Sequence, residues 1–253
     1  AHAGVRVAVG LETFSNVEAV ITMLPDSDAV DEIVLGQPPH EGLIDILPPG
    51  ATVIDMSSSQ PLRSRTLART LDRRGLHFLD APVSGGVKRA REGSLTIMVG
   101  GEQAQYRERR DLFQCMGKTI IHVGGPGAGH AVKALNNYVS AAGLIATVEA
   151  LLVGQAFGLD PTIMTDVLNT STGRNNTTES KVVQFMLSGA FDSGFSLQLM
   201  AKDIGTAMDL GESLGLNMRL AQQLLGVWSD AARDLEPSAD HTEMYRYLQE
   251  AGE

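Results

Sequence analysis

Lys133 and Asn137 stand four residues apart in GHAVKALNNYVSAA, so on a helix they share one face about a turn apart. Gly129, Asn136, Ser140 and Ala141 neighbour them on that stripe, and small or polar residues there leave room for a ligand. A lysine near a helix start feels the positive end of the dipole, and a hydrophobic cleft would add desolvation; both weaken its hold on a proton. Such a lysine accepts a hydroxyl proton near neutral pH. On spacing alone a solvated surface lysine fits better, so the chemistry has to be carried by context.

That context begins at DAPVSGG, residues 80–86. A strand ends at Asp80, Pro82 fixes the chain, and Ser84, Gly85 and Gly86 then expose backbone N–H groups that an anion can approach closely. The loop can hold a carboxylate, with the Ser84 hydroxyl as a further donor, although SGG is also a common flexible turn. The cluster GGPGAGH at 124–130 invites two phosphate readings and fits neither. His130 and Ala131 stand where a P-loop needs lysine and a hydroxyl residue, and dinucleotide spacing from Gly127 meets Val132. It reads instead as the flexible start of the helix that follows. The six histidines, His2, His40, His77, His122, His130 and His241, form no pair at ligand spacing with a carboxylate or cysteine, so no metal site is expected. No GxSxG elbow occurs either. The single cysteine, Cys115 in LFQCMG, excludes an internal disulfide and reads as buried filler.

The elements that must position these residues change character midway. Short β-rich runs, RVAV (6–9), AVITML (19–24), ATVIDM (51–56), LHFLDA (76–81), LTIMVG (95–100) and TIIHVG (119–124), alternate with helix patterns such as SDAVDEIVLG, PLRSRTLARTLDRRG and EQAQYRERRDLFQCMG. Asp26 and Ser27 are cap candidates for the first of these helices. This alternation predicts a layered α/β sheet, parallel at least in its early part. From His130 to Phe157 there is no proline and only Gly143 and Gly154, with apolar residues at three- and four-residue spacing, which predicts one long helix. Helices over 161–169, 178–188, 197–214, 218–234 and 240–250 follow. The domain boundary is therefore expected near residue 126, with residues 1–126 α/β and residues 127–253 all-helical.

Hydrophobic residues make up 43% of the 253, enough to fill the core of one large or two ordinary domains. A net charge of −10 with scattered Lys and Arg lacks the basic stripe that nucleic acid requires. No run reaches 18 consecutive apolar residues, and AHAGVRVAVG has neither a basic leader region nor a cleavage pattern. The expectation is a cytoplasmic protein with neither nucleic acid nor membrane as partner. A helix apolar nearly all round must be covered on nearly all sides, so the helical half is expected to drive oligomerisation.

Several segments, taken in order, resemble the β-hydroxyacid dehydrogenases, specifically the 3-hydroxyisobutyrate dehydrogenase-like group related to 6-phosphogluconate dehydrogenase. They are ITMLPDS (21–27), VIDMSSSQP (53–61), FLDAPVSGGVKRAREGSLTIMVGG (78–101), GPGAGHAVKALNN (125–137), STGR (171–174) and LMAKDIGTAMD (199–209). The resemblance implies a Rossmann-type nucleotide-binding domain, then an all-α domain opened by a long interdomain helix, with NAD or NADP as cofactor and a homodimer or homotetramer as assembly. It implies that Lys133 is the catalytic acid/base, that Asn137 positions the substrate, and that Ser84, Gly85 and Gly86 grip its carboxylate. Leu24, Pro25, Ser58 and Lys202 take the place of residues that meet the cofactor. The substrate implied is a small 3-hydroxy acid such as 3-hydroxyisobutyrate, or the matching oxo acid, in a cleft between the domains. The alternatives are reduction of a small aldehyde acid (glyoxylate, succinic semialdehyde or tartronate semialdehyde) and a non-catalytic scaffold of the same fold. Two departures stand out. The family opens with GxGxxG on its first βαβ unit, and this sequence starts close to the family's fourth strand, so an omitted N-terminal segment is expected. Met56 replaces a small polar residue before the serines, which is expected to alter packing near the nicotinamide.

Overall fold

The computed structural model describes residues 7–251, and the chain divides into two compact units after Lys133. In the first unit a six-stranded sheet is built from β1 (Ala19–Thr22), β4 (Thr52–Asp55), β5 (His77–Asp80), β6 (Val83–Ser84), β7 (Leu95–Gly101) and β8 (Gly117–Gly124). Strands β1, β4 and β5 run parallel, with Ile21 opposite Ile54 and Ile54 opposite Leu79. Strand β7 turns antiparallel to β5 and β6, and β8 runs parallel to β7. The sheet is therefore mixed, parallel in its early part as the sequence pattern anticipates. A two-residue pair, β2 (Gly36–Gln37) and β3 (His40–Glu41), stands apart.

Alternation along the strands makes two cores, because successive side chains point to opposite faces. Val53 and Phe78 pack with Val30 and Val34 of α1 (Ser27–Leu35), Leu43 of α2 (Leu43–Ile46), and Leu67 and Leu71 of α3 (Pro61–Asp72). Their sequence neighbours Ile54 and Leu79 join Ile97, Val99 and Phe113, the last from α5 (Gln103–Gln114), in the other core. Met56 belongs to this second core at 3% exposure, so its apolar side chain serves packing. The caps match their chemistry: Asp26 accepts from the Ala29 N–H at 3.0 Å, and Pro61, lacking an N–H, opens α3. Ser27 is not the cap; its hydroxyl accepts from the Gln60 N–H, tying α1 to α3.

In the second unit the long helix α6 (Ala128–Phe157), which begins in the first, buries Ala141, Leu144, Val148 and Leu151. They pack against Met200 and Ile204 of α9 (Leu197–Ser213), Leu224 and Trp228 of α10 (Arg219–Asp234), and Met244 of α11 (Met244–Ala251). Helix α7 (Pro161–Thr170) is capped by Asp160. By length and composition α6 could cross a membrane, and 39% of its most apolar window is buried.

Three expectations need correction. Val7 to Val9 form no strand and Val9 is fully exposed, while Arg6 lies outside the described residues. The helix anticipated over 178–188 is two pieces, α8 (Asn176–Ser180) and a π-helical turn at Val182–Leu187, with Lys181 at the break. Cys115 is exposed: Phe113 and Met116 face the sheet core, which leaves the intervening positions on the outside of the turn.

Candidate functional site

Asp55 and Asp80 end adjacent parallel strands, both almost fully buried. A buried carboxylate must be surrounded by donors, and each is. Asp55 accepts from the Thr22 hydroxyl at 2.9 Å, the Ser57 N–H at 3.0 Å and the Ser59 hydroxyl at 2.6 Å. Asp80 accepts from the backbone N–H groups of Gly127 at 2.7 Å and His130 at 2.9 Å. His130 completes the network, with Nδ1 2.7 Å from the Ser64 hydroxyl and Nε2 3.1 Å from the Ser57 carbonyl. A carbonyl only accepts, so Nε2 carries a proton.

This network fixes the glycine cluster where the sequence suggested flexibility. A methyl group on Gly129 would lie 2.4 Å from the Met98 carbonyl oxygen and 2.7 Å from that of Asp80, so only glycine lets α6 begin against the strand ends. It also fixes the loop after β1: the Leu24 N–H donates to the Ser57 hydroxyl at 2.9 Å. Pro25 is exposed and Ser58 partly exposed, between the buried Ser57 and Ser59. These loops lie at the carboxyl ends of parallel strands, where open α/β sheets bind nucleotides. A backbone surface held from beneath by Ser57 and Asp55 fits a dinucleotide cofactor.

Ser84 ends β6 opposite Thr96, and Gly85 and Gly86 follow with φ of +131° and +65°. Positive φ is what a glycine pair supplies without strain. Contrary to a simple flexible turn, the segment passes directly into the short helix α4 (Gly86–Arg91).

Lys133 is 7% exposed in the second turn of α6. Burial is the feature that a solvated surface lysine lacks. Asn137, one turn on, is 6% exposed, and its amide Nδ2 donates to the Asp203 carboxylate. Asn136 is exposed and its side-chain amide donates to Asn137 Oδ1 at 3.2 Å, so the Asn137 amide is oriented from two sides. Lys202 is partly exposed on α9 beside the buried Asp203. Sequence reasoning missed Asp203 as a partner of Asn137 and missed the Asp55–His130–Asp80 network. The aspartate within MAKD was the available signal for the first; nothing in the spacing gave the second.

Residues 2–124 match the NAD binding domain of 6-phosphogluconate dehydrogenase, and residues 127–248 match the family described as NAD-binding of NADP-dependent 3-hydroxyisobutyrate dehydrogenase. Mitochondrial 3-hydroxyisobutyrate dehydrogenase of Mus musculus is 34% identical over 98% of this chain and 76% of its own length. The 2-(hydroxymethyl)glutarate dehydrogenase of Eubacterium barkeri is 36% identical over 77% of this chain, a match spanning 64% of that protein. Among solved structures, Mycobacterium tuberculosis 3-hydroxyisobutyrate dehydrogenase with L-serine is 31% identical with a TM-score of 0.86, covering 94% of this chain and 82% of that one. The sheet with its carboxyl-end loops, the helical second half and these matches agree, and the chain belongs to the β-hydroxyacid dehydrogenases, a family of NAD(P)-dependent oxidoreductases.

Proposed function

We propose that this protein transfers hydride between NAD(P) and a small 3-hydroxy acid such as 3-hydroxyisobutyrate, with Lys133 as general acid/base. The observation that carries the reading is the burial of Lys133 one helical turn from an Asn137 amide locked by Asp203. Bound nicotinamide supplies the hydride chemistry. Lys133 removes the substrate hydroxyl proton in oxidation and returns it in reduction. Asn137 orients the substrate by hydrogen bonding, and Ser84, Gly85 and Gly86 receive its carboxylate. Leu24, Pro25 and Ser58 would hold the cofactor on the first unit, and Lys202 on the second. In this reading residues 1–126 serve the dinucleotide and residues 127–253 serve substrate and assembly.

The test is a panel followed by nicotinamide absorbance in both directions: 3-hydroxyisobutyrate, L-serine and 2-(hydroxymethyl)glutarate for oxidation, then glyoxylate, succinic semialdehyde and tartronate semialdehyde for reduction. Best turnover on a 3-hydroxy acid is expected, whereas best turnover on an aldehyde acid selects the reductase reading. Silence across the panel with cofactor still bound would mean a scaffold.

The assembly we infer is a homo-oligomer built on α6. Val132, Leu135, Val139, Val153 and Phe157 are 38%, 40%, 65%, 71% and 83% exposed, yet they fall within about 60° around the helix at 3.6 residues per turn. An apolar stripe along a helix about 45 Å long suits a second copy of the chain. Sedimentation at micromolar concentration is expected to show a dimer or tetramer; a species of 26.9 kDa alone rejects it.

A further inference from the structure

Lys181 is a half-buried cation of the second unit that the proposed chemistry does not use. It sits where α8 stops and the π-helical turn begins, at φ −127° and ψ −42°. Its carbonyl accepts from both the Phe185 and Met186 N–H groups, at 2.9 and 3.3 Å. Such π-helical widenings often mark functional sites because they re-aim a side chain out of register. Here the half-buried ammonium reaches back to α6, with Nζ 3.5 Å from the Ser140 hydroxyl. Ser140 shares an arc of about 60° on α6 with Lys133 and Asn137, at 3.6 residues per turn. It lies about 10 Å along the helix from Lys133, at 1.5 Å per residue.

Among the described residues no carboxylate lies within ion-pair distance of Lys181 Nζ. The acidic group that acts on it, Asp240, is committed elsewhere. Asp240 accepts from the Ser193 hydroxyl, the Gly194, Phe195 and Thr242 N–H groups and the Thr242 hydroxyl. Burial pushes its carboxyl up, but bonds from His241, Thr242 and Ser193 outweigh this and hold it well below the usual carboxylate range. The Lys181 ammonium is pushed down to about 8 by burial, against a smaller opposing pull from Asp240. A desolvated cation beside a hydroxyl donor, with no carboxylate of its own, is an anion site in waiting.

We infer that Lys181 and Ser140 bind a second anionic group, the distal carboxylate of the substrate, so that the preferred substrate is a 3-hydroxy acid with two carboxylates. The inference rests on Lys133 and Asn137 facing the reacting end. Only one carboxylate is needed there, and the separation along α6 leaves room for a short carbon chain before the second.

The test compares kcat/KM for 2-(hydroxymethyl)glutarate with that for 3-hydroxyisobutyrate in the parent protein and in Lys181→Met, Lys181→Arg and Lys181→Glu. The parent is expected to favour the dicarboxylate. Lys181→Met should cut that preference by about 10-fold to 100-fold, the worth of one charged hydrogen bond, chiefly through KM. Lys181→Arg should keep much of the preference, and Lys181→Glu should lower it further. A parent without preference, or a ratio within threefold of the parent in both Lys181→Met and Lys181→Glu, overturns the inference. Calorimetric binding of glutarate against butyrate, in the presence of NAD(P), separates this from the acid/base reading because it needs no turnover. Equal affinity of parent and Lys181→Met for glutarate counts against the inference whatever Lys133 does, and full turnover by Lys133→Met counts against the acid/base reading alone.

Discussion

The two polar clusters are built on opposite principles. At the strand ends, Asp55 and His130 are bound by hydroxyls and backbone groups of their own unit, and each carboxylate oxygen of Asp80 accepts a backbone N–H of that unit. On the helical side Asn137 is oriented by Asp203, while Lys181 meets, among the described residues, a single distant hydroxyl. A saturated network has nothing left to offer a ligand and serves to fix the loops around it. An unsaturated one keeps capacity for something that arrives from solution, at a cost in stability. The difference predicts which variants lose chemistry, which lose the fold and which gain stability.

The largest effect is expected at Lys133. Lys133→Met keeps the helix, since methionine is a comparable helix former. Loss of a positioned proton-transfer group should lower kcat roughly 10²-fold to 10⁴-fold, with cofactor affinity, followed by fluorescence, little changed. Lys133→Arg should fail as well, because a guanidinium does not act as a base. Turnover within threefold of the parent by either variant would place Lys133 in the structural class with Asp80.

Asp80→Ala probes the saturated side. It strands two buried N–H donors, those of Gly127 and His130, each worth about 1–3 kcal/mol when left unsatisfied. A stability loss of roughly 2–6 kcal/mol is expected in denaturant unfolding. If Asp80→Ala unfolds at the parent's midpoint, the network is ornamental.

Between these lies Asn137 with Asp203. Asn137→Ala and Asp203→Ala should each lower kcat/KM, and in a double-mutant cycle their effects should fall short of additivity by about 0.5–3 kcal/mol, the range for residues in direct contact. Strict additivity would mean that Asp203 does not act through Asn137.

Much of this arrangement is legible in the chain, and the limits are physical. The apolar run ATVIDM announces a strand because its side chains fill cores on both faces of a covered sheet, and LTIMVG because Leu95, Ile97 and Val99 fill one of them. That Lys133 and Asn137 stand one turn apart on the same helix is legible because helical spacing is local. Asp80 and His130 are 50 residues apart, and no local pattern reports a contact at that separation. The break at Lys181 was hidden for another reason. ESKVVQF contains neither glycine nor proline, so its helix period continues while tertiary packing of Val182 and Met186 fixes the wider turn. Cys115 shows the converse: an apolar neighbourhood in sequence does not bury a residue whose helical phase points outward.

The smallest effect concerns stability at Lys181. Its folded pKa of about 8 lies below the ordinary lysine value because burial disfavours the charge. Between about pH 8 and about pH 10.4 the unfolded chain therefore binds more protons at this site than the folded one, and stability rises with pH across that window. Below it the folded protein holds the desolvated charge at full cost. Lys181→Met removes that cost, so the variant should be more stable than the parent at pH 7, by no more than about 1 kcal/mol after solvent screening. The gain should shrink as pH climbs toward 10.4. Urea unfolding at a series of pH values measures both. A parent and variant whose difference does not change with pH would mean that Lys181 is already compensated in the folded protein, and would move it into the same saturated class as the strand-end cluster.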